Sequence, residues 1–447
     1  MPLFKTYVIM YSIEPKSFIK NEWKDFFVKV QRAEKHRIKK NNKFYLLIDD
    51  FCWKSKNMYN YGNYIIRQEF ISTSKLKEEG FAEHANWIQY NALYQICKSS
   101  DSYVALGSIA AQATLRKLEK NWKSFFESIK DYQIHPEKYQ GRPKIPKYLD
   151  KEKGRYELGI NNQRCKIKDG YVYFGWKPLR CLNGIFKSKI PDDAKLIQCR
   201  FVPKKDEYVL EVVYEISLLN INKKKSQNIA AIDLGVDNLI TLTTNCGTQP
   251  IVINGKPLKA INQYYNKVIS DMRSDLKLRN DMNWSHKMQK ITTKRNYKVE
   301  DYIHKATKIV IDFLKDNDID TLVCGYNTGW KQETNIGKIN NQNFVYIPHS
   351  SIIEKLSYKC ENEGILFKTT EEGYTSGTSF LDEEDPCEEN YDKSRRKYRG
   401  LFISNNGIPI NADVNGSYQI MKKVFPNAFK NGVENAILHP IVVNIPA

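Results

Sequence analysis

Three acidic residues, Asp233, Glu372 and Asp413, stand in settings that suit divalent-metal chemistry. Asp233 closes the run Ile229-Ala230-Ala231-Ile232, whose apolar character predicts a buried strand. A carboxylate desolvated there is costly unless positive charge lies beside it. Asp413 lies in INADVNGSYQI, at the start of a helix that Asn411 could cap; the helix dipole alone also favours an acid in a first turn. Glu371 and Glu372 follow the strand-like GILFKTT and precede Tyr374-Thr375-Ser376. Side chains alternate along an extended strand, so only one of this pair can face Asp233. For the pair, an exposed acidic strand end is the plain alternative.

The elements that must carry these acids are a strand, turn and strand over NIAAIDLGVDNLITLTTNCG (228–247), a strand DTLVCG, a helix, the strand ILFKTT and a last helix near Asp413. That order fits an RNase H-like sheet. Enzymes on such a sheet cut phosphodiesters with two Mg²⁺ ions, one activating the attacking water and the other stabilising the leaving oxygen. Mg²⁺ is hard and octahedral and takes carboxylate oxygens, which would neutralise Asp233. Asp on a first strand, Glu on a later strand and Asp on a last helix is far more specific than any one acid.

Upstream, residues 1–14 read as a strand and 15–135 as helical, best marked where Ile109, Ala113, Leu115, Leu118, Trp122 and Phe125 recur at three- and four-residue steps. HPEKYQGRPKIPKYLDKEKG reads as a loop. Short β-rich runs follow to 222, with turns at Lys168-Asp169-Gly170 and Lys204-Lys205-Asp206, as in a small antiparallel sheet or barrel. The polar stretch 220–227 marks the boundary with the last domain, 223–447. Within that domain, two helices with a basic connection follow the opening hairpin. Ser351 and Glu354 fit a capping box, Gly364 fits a C-terminal cap, and a charged insertion runs over about 376–405.

Across 447 residues, 70 Lys and Arg face 51 Asp and Glu, a formal charge of +19, which is the footprint of a protein that binds a polyanion. Seven Trp and 28 Tyr add stacking surfaces, so nucleic acid is the first candidate. The basic run KSRRKYRG, with Arg395, Arg396 and Lys397, offers phosphate contacts, as do the Lys and Arg residues between 277 and 298. Trp330, with Lys331 and Gln332, could stack on a base, a packed indole being the alternative. The nine cysteines include no C-x-x-C pair, so no zinc is expected. No run is long and uncharged enough to span a membrane, and the start lacks a signal-peptide layout; a cytoplasmic protein without a membrane partner is expected.

These residues resemble the TnpB family, the RNA-guided nucleases of insertion sequences related to type V CRISPR effectors and Fanzor proteins. IDLGVDNLITLTT looks like the family's first RuvC motif, EEGYTSGTSFLD like the segment before its target-binding insertion, and INADVNGSYQI like its third motif. The stretch 325–365 looks like the subgroup carrying a G-x-N-x-G-W-K-Q signature. The resemblance implies a multidomain α+β protein. Residues 1–14 and 136–222 would form a wedge-type antiparallel β-barrel, 15–135 an inserted helical recognition domain, and 223–447 an RNase H-like RuvC nuclease domain. It also implies an omega-type guide RNA from the transposon end, double-stranded target DNA beside a short transposon-adjacent motif, and cleavage at a two-Mg²⁺ site. In such systems base pairing reads the sequence and protein reads backbone and motif. Bound to its target, a bacterial protein of this kind would sit with the nucleoid.

Two departures stand out. Where most members carry the middle glutamate, this chain has Gly325; some relatives place it just before the YTS segment, which favours Glu372 with Glu371 second. The insertion holds a single cysteine, Cys387, and would have to fold without zinc. A nuclease-inactive, RNA-guided DNA-binding protein is the runner-up. An actin-like ATPase would need a second Gly-rich Asp loop that the sequence lacks, and a strand-joining transposase leaves the basic N-terminal half unexplained.

Overall fold

The computed structural model describes residues 27–80, 85–219, 227–326, 347–398, 400–429 and 438–445. The strand expected over 1–14, all but the last residue of the linker expected over 220–227, and Trp330, Lys331 and Gln332 lie outside the described residues. The rest forms two compact units, divided between Val28 and Lys29 and again between Ser217 and Leu218.

The first unit is built from β1 (Phe27–Lys39), α1 (Tyr45–Glu78), α2 (Tyr90–Cys97), α3 (Asp101–Leu106), α4 (Ser108–Ile134), β2 (Leu158–Asn161), β3 (Cys165–Lys168), β4 (Tyr171–Phe174), β5 (Lys195–Pro203) and β6 (Glu207–Leu219). One sheet runs β1-β6-β5-β2, and β3 and β4 form a separate hairpin. The hairpin turn uses Asp169 and Gly170 at φ 51° and 71°, as the Asp-Gly pair predicts. Helices and sheet share one core, in which Ile48, Leu115, Leu118 and Trp122 pack with Leu158, Leu210 and Phe201. Gly62 lets α1 and α4 approach closely, since a Cβ there would lie 2.9 Å from Leu115. Polar residues of α1 hold the Pro-rich loop along it. Asn60 and Asn63 donate to the carbonyls of Leu149 (2.9 Å) and Pro146 (3.0 Å).

β1 corrects the helical reading of 15–135. Its inward positions between Val30 and Ile38 are polar; Glu34, for example, accepts from the Ser188 hydroxyl at 2.7 Å. The period of two was therefore invisible to an apolar count.

The second unit contains β7 (Ile229–Leu234), β8 (Asn238–Thr244), β9 (Ile251–Asn254), α5 (Lys256–Asn280), α6 (His286–Asp316), β10 (Thr321–Gly325), α7 (His349–Asn362), β11 (Leu366–Thr370), β12 (Leu401–Ile403), β13 (Pro409–Asn411), α8 (Ala412–Val424) and β14 (Ile441–Val443). Its main sheet runs β11-β10-β7-β8-β9-β14. β7, β8 and β9 are antiparallel, whereas β10 pairs parallel to β7 and β11 parallel to β10. Alternation on β7 divides the two faces. Ala230 and Ile232 pack with α6 and α7, while Ile229 and Ala231 pack with Ile420 and Met421 of α8. By the same parity, Asp233 and Gly325 belong to the α8 face. α7 begins at His349 without a side-chain cap, so Ser351 lies inside its first turn and the expected capping box does not form. Gly364 follows it at φ 70°. Among the described residues, no helix is long and apolar enough to cross a membrane.

Candidate active site

β7 is buried on both faces up to Asp233, its second-last residue, which is itself partly open. α8 lies directly over it. A Cβ on Gly416 would stand 3.2 Å from Asp233 Oδ2, so glycine permits the approach. Ser417 fastens the crossing, its hydroxyl donating to the Ala231 carbonyl at 2.9 Å and lying 2.9 Å from Thr243 Oγ1. Asn411 caps α8, accepting from the amides of Asp413 and Val414 at 3.0 and 3.2 Å. This fixes Asp413 in the first turn.

Two donors grip Asp413. Asn238, at the start of β8, donates from Nδ2 to Oδ2 at 2.7 Å, and Arg396 donates from Nη2 to Oδ1 at 3.1 Å. Asn238 was missed in the sequence, although it follows Asp233 closely in DLGVDN. Arg396, expected to contact phosphate, bonds the Asp413 carboxylate in this structure.

The choice between the two glutamates falls to packing. Glu371 points outward, 70 % exposed, with its Oε2 3.6 Å from Lys423 and its Oε1 accepting from the Gly373 amide at 2.8 Å. Glu372 turns inward over Gly325: a Cβ on that glycine would lie 2.6 Å from Glu372 Oε1 and 2.7 Å from its Cγ. The missing side chain on β10 is the space that the carboxylate of Glu372 occupies.

These placements explain the electrostatics. Burial raises Asp233 well above the usual carboxylate range; the charges of Glu372 and Asp413 push the same way, and Arg396 opposes them. Burial lifts Glu372 to about 7. Asp233 therefore feels both Glu372 and Asp413, with the Arg396 guanidinium set against them. Carboxylate oxygens are the donors that hard divalent cations take. As arranged, among the described residues no group of three or more His, Cys, Asp or Glu is placed to hold a metal ion in common.

The remaining expectations divide. Lys397 is exposed. Arg395, expected to contact phosphate, has a side chain only 11 % exposed and bonded to partners inside its own segment.

Residues 207–331 match the family model OrfB_IS605, "Probable transposase", and residues 349–420 match "Cas12f1-like, TNB domain". Asp233 falls in the first match; Glu371, Glu372, the insertion and Asp413 fall in the second. These two segments are what the chain shares with TnpB-type transposases and Cas12f1-like proteins. Among solved structures, the chain is similar to a Cas12f1–sgRNA–target DNA complex, at 16% identity over 88% of this chain and 98% of that one, with a TM-score of 0.34. It is similar also to a CRISPR-Cas12f ternary complex, at 13% identity over 82% and 80%, TM-score 0.33. A third is Alicyclobacillus acidoterrestris C2c1 with single-guide RNA, at 7% identity over 85% and 70%, TM-score 0.35. No curated protein matches the chain significantly.

Proposed function

We propose that this chain is a TnpB-type, RNA-guided DNA endonuclease of a transposable element. It would take an omega-type guide RNA from the element's end and cut double-stranded DNA beside a short transposon-adjacent motif. The observation that carries the reading is the placement of Asp233 against α8, where Glu372 and Asp413 act on its charge. The order β9-β8-β7-β10-β11 is the order of an RNase H-like sheet and supports a RuvC assignment for the second unit. On the same reading the sheet β1-β6-β5-β2 is the wedge-type element, and α1 to α4 are recognition helices.

Asp233, Glu372 and Asp413 are the residues that would hold Mg²⁺. When bound, two such ions supply Lewis-acid polarisation of a phosphodiester and an acidified water. The chain's own part is positional. Asn238 orients the Asp413 carboxylate, Arg396 neutralises it, and the Gly325 surface leaves room for Glu372. The charge of +19 suits a long RNA and a heteroduplex. Because Glu372 occupies the space over Gly325, the glycine is no argument for the runner-up, a nuclease-inactive DNA-binding protein.

The test is to sequence the RNA that co-purifies with the protein, then to offer the complex DNA matching its variable segment. One structured RNA and Mg²⁺-dependent cuts are expected. RNA-dependent binding without cuts would establish the runner-up, and absence of a specific RNA would end both.

A further inference from the structure

The segment 376–405 contains Cys387 as its single cysteine and no histidine, so a zinc ribbon's ligands are absent from it. A guanidinium sits at its centre instead. Arg395 donates from Nη1 to Glu384 Oε1 at 2.8 Å and Asn405 Oδ1 at 3.4 Å, and from Nη2 to the carbonyls of Gly377 and Asn390 at 3.2 and 2.6 Å. The carboxylates of Asp382 and Asp392 lie 4.0 and 3.8 Å away, and the Phe402 ring centroid 5.6 Å from the guanidinium carbon. These partners come from both ends and the middle of the segment, so one planar cation ties it together. Lysine, a point charge with three donors on one atom, cannot span them.

The lobe is also fastened to α8. Asn415 donates to the Thr378 carbonyl at 2.8 Å and accepts from the Phe380 amide at 3.0 Å, and Phe380 stacks on Tyr418 with centroids 4.4 Å apart. The next residue in the chain, Arg396, bonds Asp413 in the first turn of that helix.

We propose that Arg395 is a positioning residue: its hub organises the lobe in the role a structural metal would otherwise fill, and thereby sets Arg396 against Asp413. The proposal rests on Asp413 being a site carboxylate.

The experiment compares wild type with Arg395→Lys, Arg395→Ala, Arg396→Ala and the double alanine variant, each as the RNA complex. Hydrogen exchange of lobe amides, Ca²⁺ affinity by calorimetry and DNA cleavage are read in parallel. Arg395→Ala should speed exchange over 377–411 by about 100-fold or more while β7 and β10 stay protected. It should tighten Ca²⁺ binding, by loss of the guanidinium that competes for Asp413, and change cleavage, each by the same factor as Arg396→Ala, and the double variant should match Arg396→Ala alone. Arg395→Lys should fall between, with the rest of the fold intact. A chelator should leave lobe exchange in the wild type unchanged. Unchanged lobe exchange in Arg395→Ala, or effects that multiply in the double variant, would overturn the proposal. If no protein cleaves, wild type included, the nuclease reading fails, and exchange and Ca²⁺ affinity still decide the role of Arg395.

Discussion

Gly325 and Glu372 form a matched pair, and Gly325→Ala should expose it. The glycine does not adopt positive φ, so alanine suits its backbone and would by itself stabilise by about 0.4–1 kcal/mol through the unfolded chain. The obstacle is space. The new Cβ would lie 2.6 Å from Glu372 Oε1, 2.7 Å from Glu372 Cγ and 2.6 Å from Ile420 Cδ1, all well inside van der Waals contact. Overpacking of that degree costs about 1–3 kcal/mol, leaving a net loss of up to about 2.5 kcal/mol and centred near 1 kcal/mol. Placed on top of Glu372→Ala, the same change meets only the end of Ile420 and should cost less than about 0.5 kcal/mol, a coupling of roughly 1 kcal/mol.

Native-state hydrogen exchange of β10 amides suits this double-mutant cycle, because a two-unit chain need not unfold as one transition. A Ca²⁺ titration runs beside it. Gly325→Ala should weaken Ca²⁺ binding about tenfold for each 1.4 kcal/mol by which the carboxylate is displaced. Equal costs with and without Glu372 would refute the matched pair and return the choice between Glu371 and Glu372 to open ground.

Asp233→Asn or Asp413→Asn should reduce Mg²⁺-dependent cleavage by more than about 100-fold while guide-RNA affinity holds, as filter binding and cleavage assays on one preparation would show. Burial holds Glu372 near 7, above its ordinary 4.5, so the folded protein keeps a proton that the unfolded chain gives up. Stability without metal should therefore fall as pH rises through that window, and stabilisation by Ca²⁺ should grow through it; melts at about pH 5.5 and 8.5, with and without Ca²⁺, check both signs. Affinity for RNA should drop by about 10³–10⁵ between roughly 50 and 200 mM salt, and a flat salt series would deny extensive phosphate contact.

The candidate acids drew notice in the sequence because each broke a local rule: a carboxylate ending an apolar strand, an acid pair at a strand end, an acid behind an asparagine cap. What the sequence could not resolve was parity. Alternation allows only one of Glu371 and Glu372 to face inward, and the choice depends on the empty space above Gly325, two elements away. Arg395 and Arg396 looked alike in a basic run, yet one is buried by partners up to eighteen residues distant and the other reaches Asp413. β1 was misread because its inward side chains are polar and find partners such as Ser188 far along the chain. The strand order of the second unit was easier, since β7 up to Asp233 and β10 after Thr321 lack charged residues, as strands covered on both faces do.

Anomalous diffraction from crystals of the RNA complex soaked in Mn²⁺ puts the central claim to its most direct trial. Peaks bounded by Asp233, Glu372 and Asp413 are the predicted result, with Arg396 drawn off Asp413 to admit them. Full Mn²⁺ occupancy elsewhere in the second unit, with these three carboxylates bare, would contradict it.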